Sequence, residues 1–376
     1  MEGLRRKAGR ILGIVGIVVA ALVGCIVVIG AAGLILSPGK PIPFTGPNGK
    51  ALPGSISEKT WVTINGARQG MFIKGRDASR PVLLFLHGGT GMPEYFLTRQ
   101  YPTGLEDYFT VCWWDRRGAG LSYSPRVAWD TVTLEQEVVD TLAVTDYLRE
   151  RFHQDKVYLM AHSGGTAVAL LAAARSPERF HAYIGVGQMT WQLKSENLSY
   201  AYMVRRFREI GNQGMARRLE QSPPAMSVPL PPGYMKLRDT AMHSLGVGTT
   251  RDMKSVIRGV FLASWLHPEY TLGEKLDTWR GKFQCDRLLW NTLLSTDLTK
   301  AVTRLDLPVY FLHGAHDYTV SYPLARAYFE RLQAPVKGFY SFQDSAHSPM
   351  LEEPSRMRCI LQQDVLVGGT SLADAR

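Results

Sequence analysis

A serine set among small residues, a later aspartate and a still later histidine are the groups in this chain that could together carry out acyl transfer. Ser163 stands in Ala161-His162-Ser163-Gly164-Gly165. Small residues on both sides let the backbone turn sharply and expose the hydroxyl. A serine hydroxyl is a poor nucleophile at neutral pH, so it needs a base, and the base needs a carboxylate to orient it. Asp317 in Gly314-Ala315-His316-Asp317 and His347 in Ser345-Ala346-His347-Ser348 supply them in the order Ser, acid, His. His153, His181, His243 and His267 have no matching context. His162 adjoins the nucleophile and is expected to point elsewhere and pack. The oxyanion of acyl transfer needs N–H donors. Gly164 is expected to give one and Gly89, in His87-Gly88-Gly89-Thr90-Gly91, the other. That run lacks the continuation of a phosphate loop. No metal or organic cofactor is indicated, so none is expected.

These residues must be held by a sheet. Trp61–Ile64 and Met71–Ile73 flank Asn65-Gly66, a hairpin signal. Apolar runs at 81–86, 110–114, 157–161, 183–186 and 308–312, with a last strand at 338–342, read as strands, most of them buried on both faces. Helices are expected from Thr133, as N-cap, to about Phe152, over 164–174 and over 353–365. Strands alternating with helices predict a mostly parallel central sheet with helices on both faces, an α/β class. Functional groups of such sheets sit where strands end, which is where the motifs fall. Trp114-Asp115-Arg116-Arg117 ends one strand, and a buried Asp–Arg pair is expected there to fix two loops. The chain divides into a core at 57–188, a helical cap at 189–299 with Pro223-Pro224 and Pro231-Pro232 breaks, and a second part of the core at 300–376.

HGGTG, DRRGAGLS, AHSGGT, GAHD and SAHS, in that order over about residues 57–368, resemble the α/β-hydrolase superfamily. Together with the large cap they are similar to the prolyl aminopeptidase (proline iminopeptidase) branch, which removes N-terminal proline from peptides. This chain has Thr90 where that branch has proline, and Ala161-His162-Ser163-Gly164-Gly165 where it has G-G-S-W-G. Ser163 stands where epoxide hydrolases and dehalogenases carry aspartate. The resemblance implies cap carboxylates that bind a substrate amine, and Glu196 is the candidate by position. The expected function is a serine hydrolase that cleaves a small amide or ester of a small molecule or short peptide through an acyl-enzyme. A carboxylesterase, lipase or acyltransferase on membrane-derived acyl substrates is the alternative, and a non-catalytic binding protein on the same scaffold the lesser one.

The net charge is +10, with no basic run interleaved with aromatics, so nucleic acid is not an expected partner. Four cysteines do not make a disulfide framework. Residues 11–36 hold no charge and follow Arg5, Arg6, Lys7 and Arg10. Residues 1–36 are therefore expected to be a basic flank plus transmembrane helix, with 37–56 as linker. The positive flank predicts a single-pass protein with its catalytic domain outside the cytoplasm. Lipid anchoring at Cys25 and secretion are the alternatives. The oligomeric state is not legible.

Overall fold

The structure, a computed structural model, describes residues 9, 13–21, 23, 24, 30 and 33–375. Its centre is an eight-stranded sheet in the order β1-β2-β4-β3-β5-β6-β7-β8. β1 (Ile56–Ile64) and β2 (Ala67–Gly75) form an antiparallel hairpin, and β2 pairs antiparallel with β4 (Thr110–Trp114). Asn65 and Gly66 both take positive φ, 47° and 76°, in the two-residue turn. This turn twists with the strands, and asparagine and glycine reach it cheaply. β3 (Val82–Leu86), β4, β5 (Val157–His162), β6 (Phe180–Val186), β7 (Val309–Gly314) and β8 (Lys337–Phe342) run parallel to one another. Their continuous apolar character follows from burial on both faces: every residue of β3, β4, β5 and β7 is buried.

One apolar layer on the sheet includes Val138, Val144 and Leu148 of α1 (Leu134–Phe152) and Val168, Ala169 and Ala172 of α2 (Gly165–Arg175). Thr133 caps α1, its side chain accepting from the Gln136 N–H, which satisfies one orphan donor of the first turn. The other layer includes Phe85, Trp113, Tyr340 and Met357. Between β6 and β7 the chain runs through α3 (Gln192–Glu209), α4 (Gln213–Glu220), α5 (Pro232–Ser244), a π turn Ile257–Phe261, α6 (Leu262–Leu266), α7 (Leu272–Ser295) and α8 (Leu298–Ala301). These helices have an apolar cluster of their own, including Met203, Phe207, Leu219, Tyr234 and Leu294. Helices α9 (Tyr322–Arg331), α10 (Pro349–Glu352) and α11 (Pro354–Ile360) complete the chain, α9 following β7 and the other two β8.

Helix α7 seats directly on the loops after β3 and β4. A Cβ on Gly281 would lie 2.4 Å from the Gly118 carbonyl oxygen, and one on Gly91 would lie 2.7 Å from Cys285 Cβ. The segment before β1 also docks. Gly39 donates to the Pro268 carbonyl at 3.0 Å. The Ile42 N–H is bonded to Glu269, and Lys74 Nζ donates to the Ile42 carbonyl at 2.7 Å.

The membrane expectation is corrected. Among the described residues, no helix is long and apolar enough to cross a membrane. A helix that crosses a hydrocarbon core of about 30 Å needs about 20 predominantly apolar residues. The transmembrane helix is therefore withdrawn from the fold. The single-pass localisation with the catalytic domain outside the cytoplasm, and membrane association through that helix, fall with it. Cys25, the candidate lipidation site, lies outside the described residues.

Candidate active site

Ser163 occupies the sharp turn between β5 and α2 with φ of 52°, a left-handed conformation that a non-glycine residue adopts only when its surroundings hold it. They do so through the main chain: the Ser163 N–H donates to the Val186 carbonyl at 2.9 Å, and its carbonyl accepts from the Thr166 N–H at 2.9 Å. The tight turn also explains Gly164, where a Cβ would lie 2.4 Å from the Gly89 carbonyl oxygen. The two glycines are thus in close main-chain approach. Neither the Gly89 nor the Gly164 N–H donates a hydrogen bond among the described residues.

Asp317 follows β7 and His347 follows β8, and the two side chains meet with His347 Nδ1 2.8 Å from Asp317 Oδ2. The other oxygen, Oδ1, accepts from the Thr319 and Val320 N–H groups at 2.9 Å each. Burial opposes the Asp317 charge. The positive ends of His347 and His313 and their hydrogen bonds outweigh it, so the carboxyl is held well below its usual range. The His347 pKa is lowered, first by burial and then by the neighbouring imidazoles of His162 and His313. Asp317 pulls the other way without prevailing. A base with a lowered pKa is neutral and ready to accept a proton at neutral pH. Ser163, His347, Gly88, Gly89 and Gly164 line one cavity of about 380 Å³. Its walls are mostly apolar, including Met189, Met242, Val260, Trp279 and Trp290, with Asp239, Asp286, Arg238 and Lys282 as charged members.

Glu196 is placed elsewhere. It is fully buried and is not among the residues lining that cavity. Its oxygens accept from Arg238 Nε at 2.7 Å and Nη2 at 2.6 Å, from Tyr234 Oη at 2.8 Å and from Gln192 Nε2 at 2.8 Å. A carboxylate so committed has no free lone pair directed at a ligand. The Asp115–Arg pair is likewise not the one formed. Arg116 pairs with Glu137 at 2.5 Å and Arg117 with Asp140 at 2.7 Å. Asp115 Oδ2 accepts from the Leu121 N–H at 2.7 Å, and its burial pushes its pKa up to about 8. Arg116 does brace the loop carrying Gly89, donating to the Gly89 carbonyl at 2.9 Å and to that of His87 at 3.2 Å.

Sequence reasoning missed Glu94 and read His162 as a packing residue. His162 does not pack idly: its Nδ1 lies 2.7 Å from Glu94 Oε1 and its Nε2 3.0 Å from the His347 carbonyl oxygen. The signal available was a histidine next to the nucleophile, but its acidic partner is 68 residues earlier, with no local pattern to join them. Thr90 is a second omission. Its hydroxyl donates to Asp286 of α7, tying the Gly89 loop to the inserted helices.

A serine in a strand-turn-helix elbow shares one cavity with His347 of the Asp317–His347 pair, at the strand ends of a largely parallel sheet. Residues 81–354 match the α/β hydrolase fold family, and the chain belongs to it. The probable aminopeptidase YbaC of Bacillus subtilis is 31% identical over 306 residues, spanning 80% of this chain and 94% of that protein. Among solved structures, the proline iminopeptidase-related protein of Thermus thermophilus has a TM-score of 0.56 at 20% identity, over 83% of this chain and 99% of its own. The proline iminopeptidase of Mycobacterium smegmatis has 0.58 at 14% identity, over 82% and 98%. The likeness to the prolyl aminopeptidase branch read from the motifs therefore stands.

Proposed function

We propose that this hydrolase-fold protein is a serine hydrolase with Ser163 as nucleophile, His347 as base and Asp317 as the group that orients the base. The observation that carries the reading is the Asp317–His347 contact of 2.8 Å on the cavity that Ser163 also lines. Ser163 Oγ attacks the substrate carbonyl carbon while His347 Nε2 takes its proton. The Gly89 and Gly164 N–H groups stabilise the oxyanion. Collapse expels the amine or alcohol, which leaves with the proton from His347. Water, deprotonated by the same ring, then attacks the acyl-enzyme and frees the acid and the serine. The cleaved bond is a small amide or ester, with an aminopeptidase-type substrate favoured by the relatedness to YbaC. Asp239 and Asp286 line the cavity, each ion-paired there, with Arg238 at 2.8 Å and with Lys282.

A second reading, ester cleavage of an acyl substrate, is favoured by the methionine and tryptophan walls. Aminoacyl arylamides, prolyl arylamide among them, and short and long acyl esters assayed side by side separate the two. Ser163→Ala is expected to remove turnover by about a thousandfold or more. Undiminished turnover in that variant sinks the assignment. Ester cleavage without any arylamide cleavage ends the aminopeptidase reading.

A further inference from the structure

We infer that Glu94 and His162 form a second carboxylate–imidazole pair, in which His162 acts as a positioning residue that fixes the loop of His347 and electrostatically holds its ring neutral. This rests on the reading of Ser163 as nucleophile and His347 as base.

The argument begins with what each ring nitrogen of His162 faces. Nδ1 is 2.7 Å from a carboxylate oxygen, Glu94 Oε1, and Nε2 is 3.0 Å from a main-chain carbonyl, that of His347. Both partners are acceptors. A neutral imidazole has only one N–H, so a ring between an ionised carboxylate and a carbonyl carries hydrogens on both nitrogens. His162 is buried, as is His347. An isolated buried cation would be costly, and Glu94 supplies the counter-charge that makes it tolerable.

The remaining surroundings agree. From the loop after β3 come Gly88 and Glu94, the Gly88 Cβ position lying 3.3 Å from Nδ1. From the loop after β8 come the His347 ring, its centroid 4.7 Å away, and Ser348 Oγ at 3.5 Å. Asp317 adds negative charge from the loop after β7. Across the cavity stand Arg238, Asp239, His243, Lys282 and Asp286. Burial alone would drive off the His162 proton. The charge and hydrogen bond of Glu94, the His347 carbonyl and Asp317 outweigh it, and the group titrates above its ordinary range.

Two effects on His347 follow. The His162 Nε2–H to His347 carbonyl bond ties the main chain of the base to the residue next to the nucleophile, so that Ser163 and His347 are held from one ring. The imidazolium also sits beside His347 and lowers its proton affinity. Asp317 pulls in the opposite direction, which leaves the base neutral yet oriented.

The test uses the rate at which a fluorophosphonate probe labels Ser163 in the full chain, followed from pH 5 to 9, with Ser163→Ala as blank. Labelling needs the neutral base and no knowledge of the substrate. Removing the cation raises the His347 pKa. In His162→Gln and Glu94→Gln the acidic limb is therefore expected to move to higher pH by about half to one unit, or about three- to tenfold in rate on that limb. Glu94→Asp is expected to bring the limb part of the way back. A role confined to packing predicts lower stability but an unmoved limb, and that result in folded variants overturns the inference while leaving the hydrolase reading intact. Absence of labelling in the parent overturns both. Because the variants can fail to fold, the unaltered protein provides a second reading. With ¹⁵N-histidine, the resonances of the ring bonded to Glu94 are expected to show both nitrogens protonated at pH 7, and a neutral tautomer there overturns the inference.

Discussion

The Asp317 carboxylate sets the tautomer of His347, because Nδ1 at 2.8 Å must present its hydrogen to it; in the proposed mechanism this leaves Nε2 for the nucleophile. Asp317→Asn removes that preference and the charge that steadies an imidazolium. The expected loss in Ser163 labelling or kcat is about a thousandfold or more, measured beside an unfolding curve that shows the variant intact. Since the His347 pKa is lowered and the neutral ring is the active form, activity is retained on acidification until the pH falls below the ordinary histidine value of about 6.5. An acidic limb centred above 6.5 contradicts this. Asp115 offers a test with the opposite sign. Its folded pKa, pushed up to about 8 by burial, exceeds the unfolded value of about 3.9. The folded state then binds the proton more tightly, and its stability falls as pH rises between those values. Asp115→Asn keeps an acceptor for the Leu121 N–H and has no charge to bury, so its stability relative to the parent is expected to improve from pH 5 to pH 9 in urea titrations. A constant difference refutes the buried, unpaired carboxylate. Ser163, Asp317 and His347 were picked out because their chain order and strand-end context are visible in the sequence. The bonding of His162 to Glu94 and of Glu196 to Arg238, 68 and 42 residues apart, depends on packing that no local pattern encodes.

The same contrast holds among the elements. β3, β4, β5 and β7 were legible as continuous apolar runs because both faces are covered, and α1 was legible from its Thr133 cap to Phe152. The inserted segment could be read as helical, but not in how it sits, because its tightest approaches to the core are made at glycines and its ion pairs join residues far apart in sequence. Gly281 of α7 lets the helix lie against the Gly118 carbonyl, and Gly91 admits Cys285. Gly281→Ala forces helix and loop apart, since a methyl 2.4 Å from a main-chain oxygen has no room. A loss of about 1–3 kcal/mol is expected from such overpacking, read as a lower urea midpoint. Helix propensity alone would make alanine the better residue at that position, so a stabilised variant would show that α7 does not rest on the loop. The 11–36 run was misjudged at this scale: hydropathy counts apolar residues, whereas crossing a bilayer also requires one uninterrupted helix, and none of that length is among the described residues.

At the scale of the molecule, the chain before β1 joins the core to the inserted helices, which composition could not show: proline and glycine in 37–55 describe an irregular path but not a seat. Glu269, just before α7, is buried and pairs with Lys74 of β2 at 3.0 Å. It is also bonded to the Tyr95 hydroxyl and the Ile42 N–H, and the Ile42 carbonyl completes Lys74 at 2.7 Å. Strand, insert and N-terminal segment thus share one buried ionic cluster. Glu269→Ala leaves Lys74 as a buried cation without its carboxylate, and a loss of about 3–5 kcal/mol is expected. Removing residues 37–44 spares that pair but takes away both groups of Ile42. The difference between a chain beginning at residue 37 and one beginning at residue 45 is therefore expected to be about 3 kcal/mol, two hydrogen bonds to charged groups at the low end of their usual range. Adding Glu269→Ala to each chain closes a thermodynamic cycle. If Ile42 acts through Glu269, the cost of removing 37–44 shrinks once the carboxylate is gone. Equal costs in the two backgrounds mean that the segment merely lies on the surface and that the insert is held to the core without it.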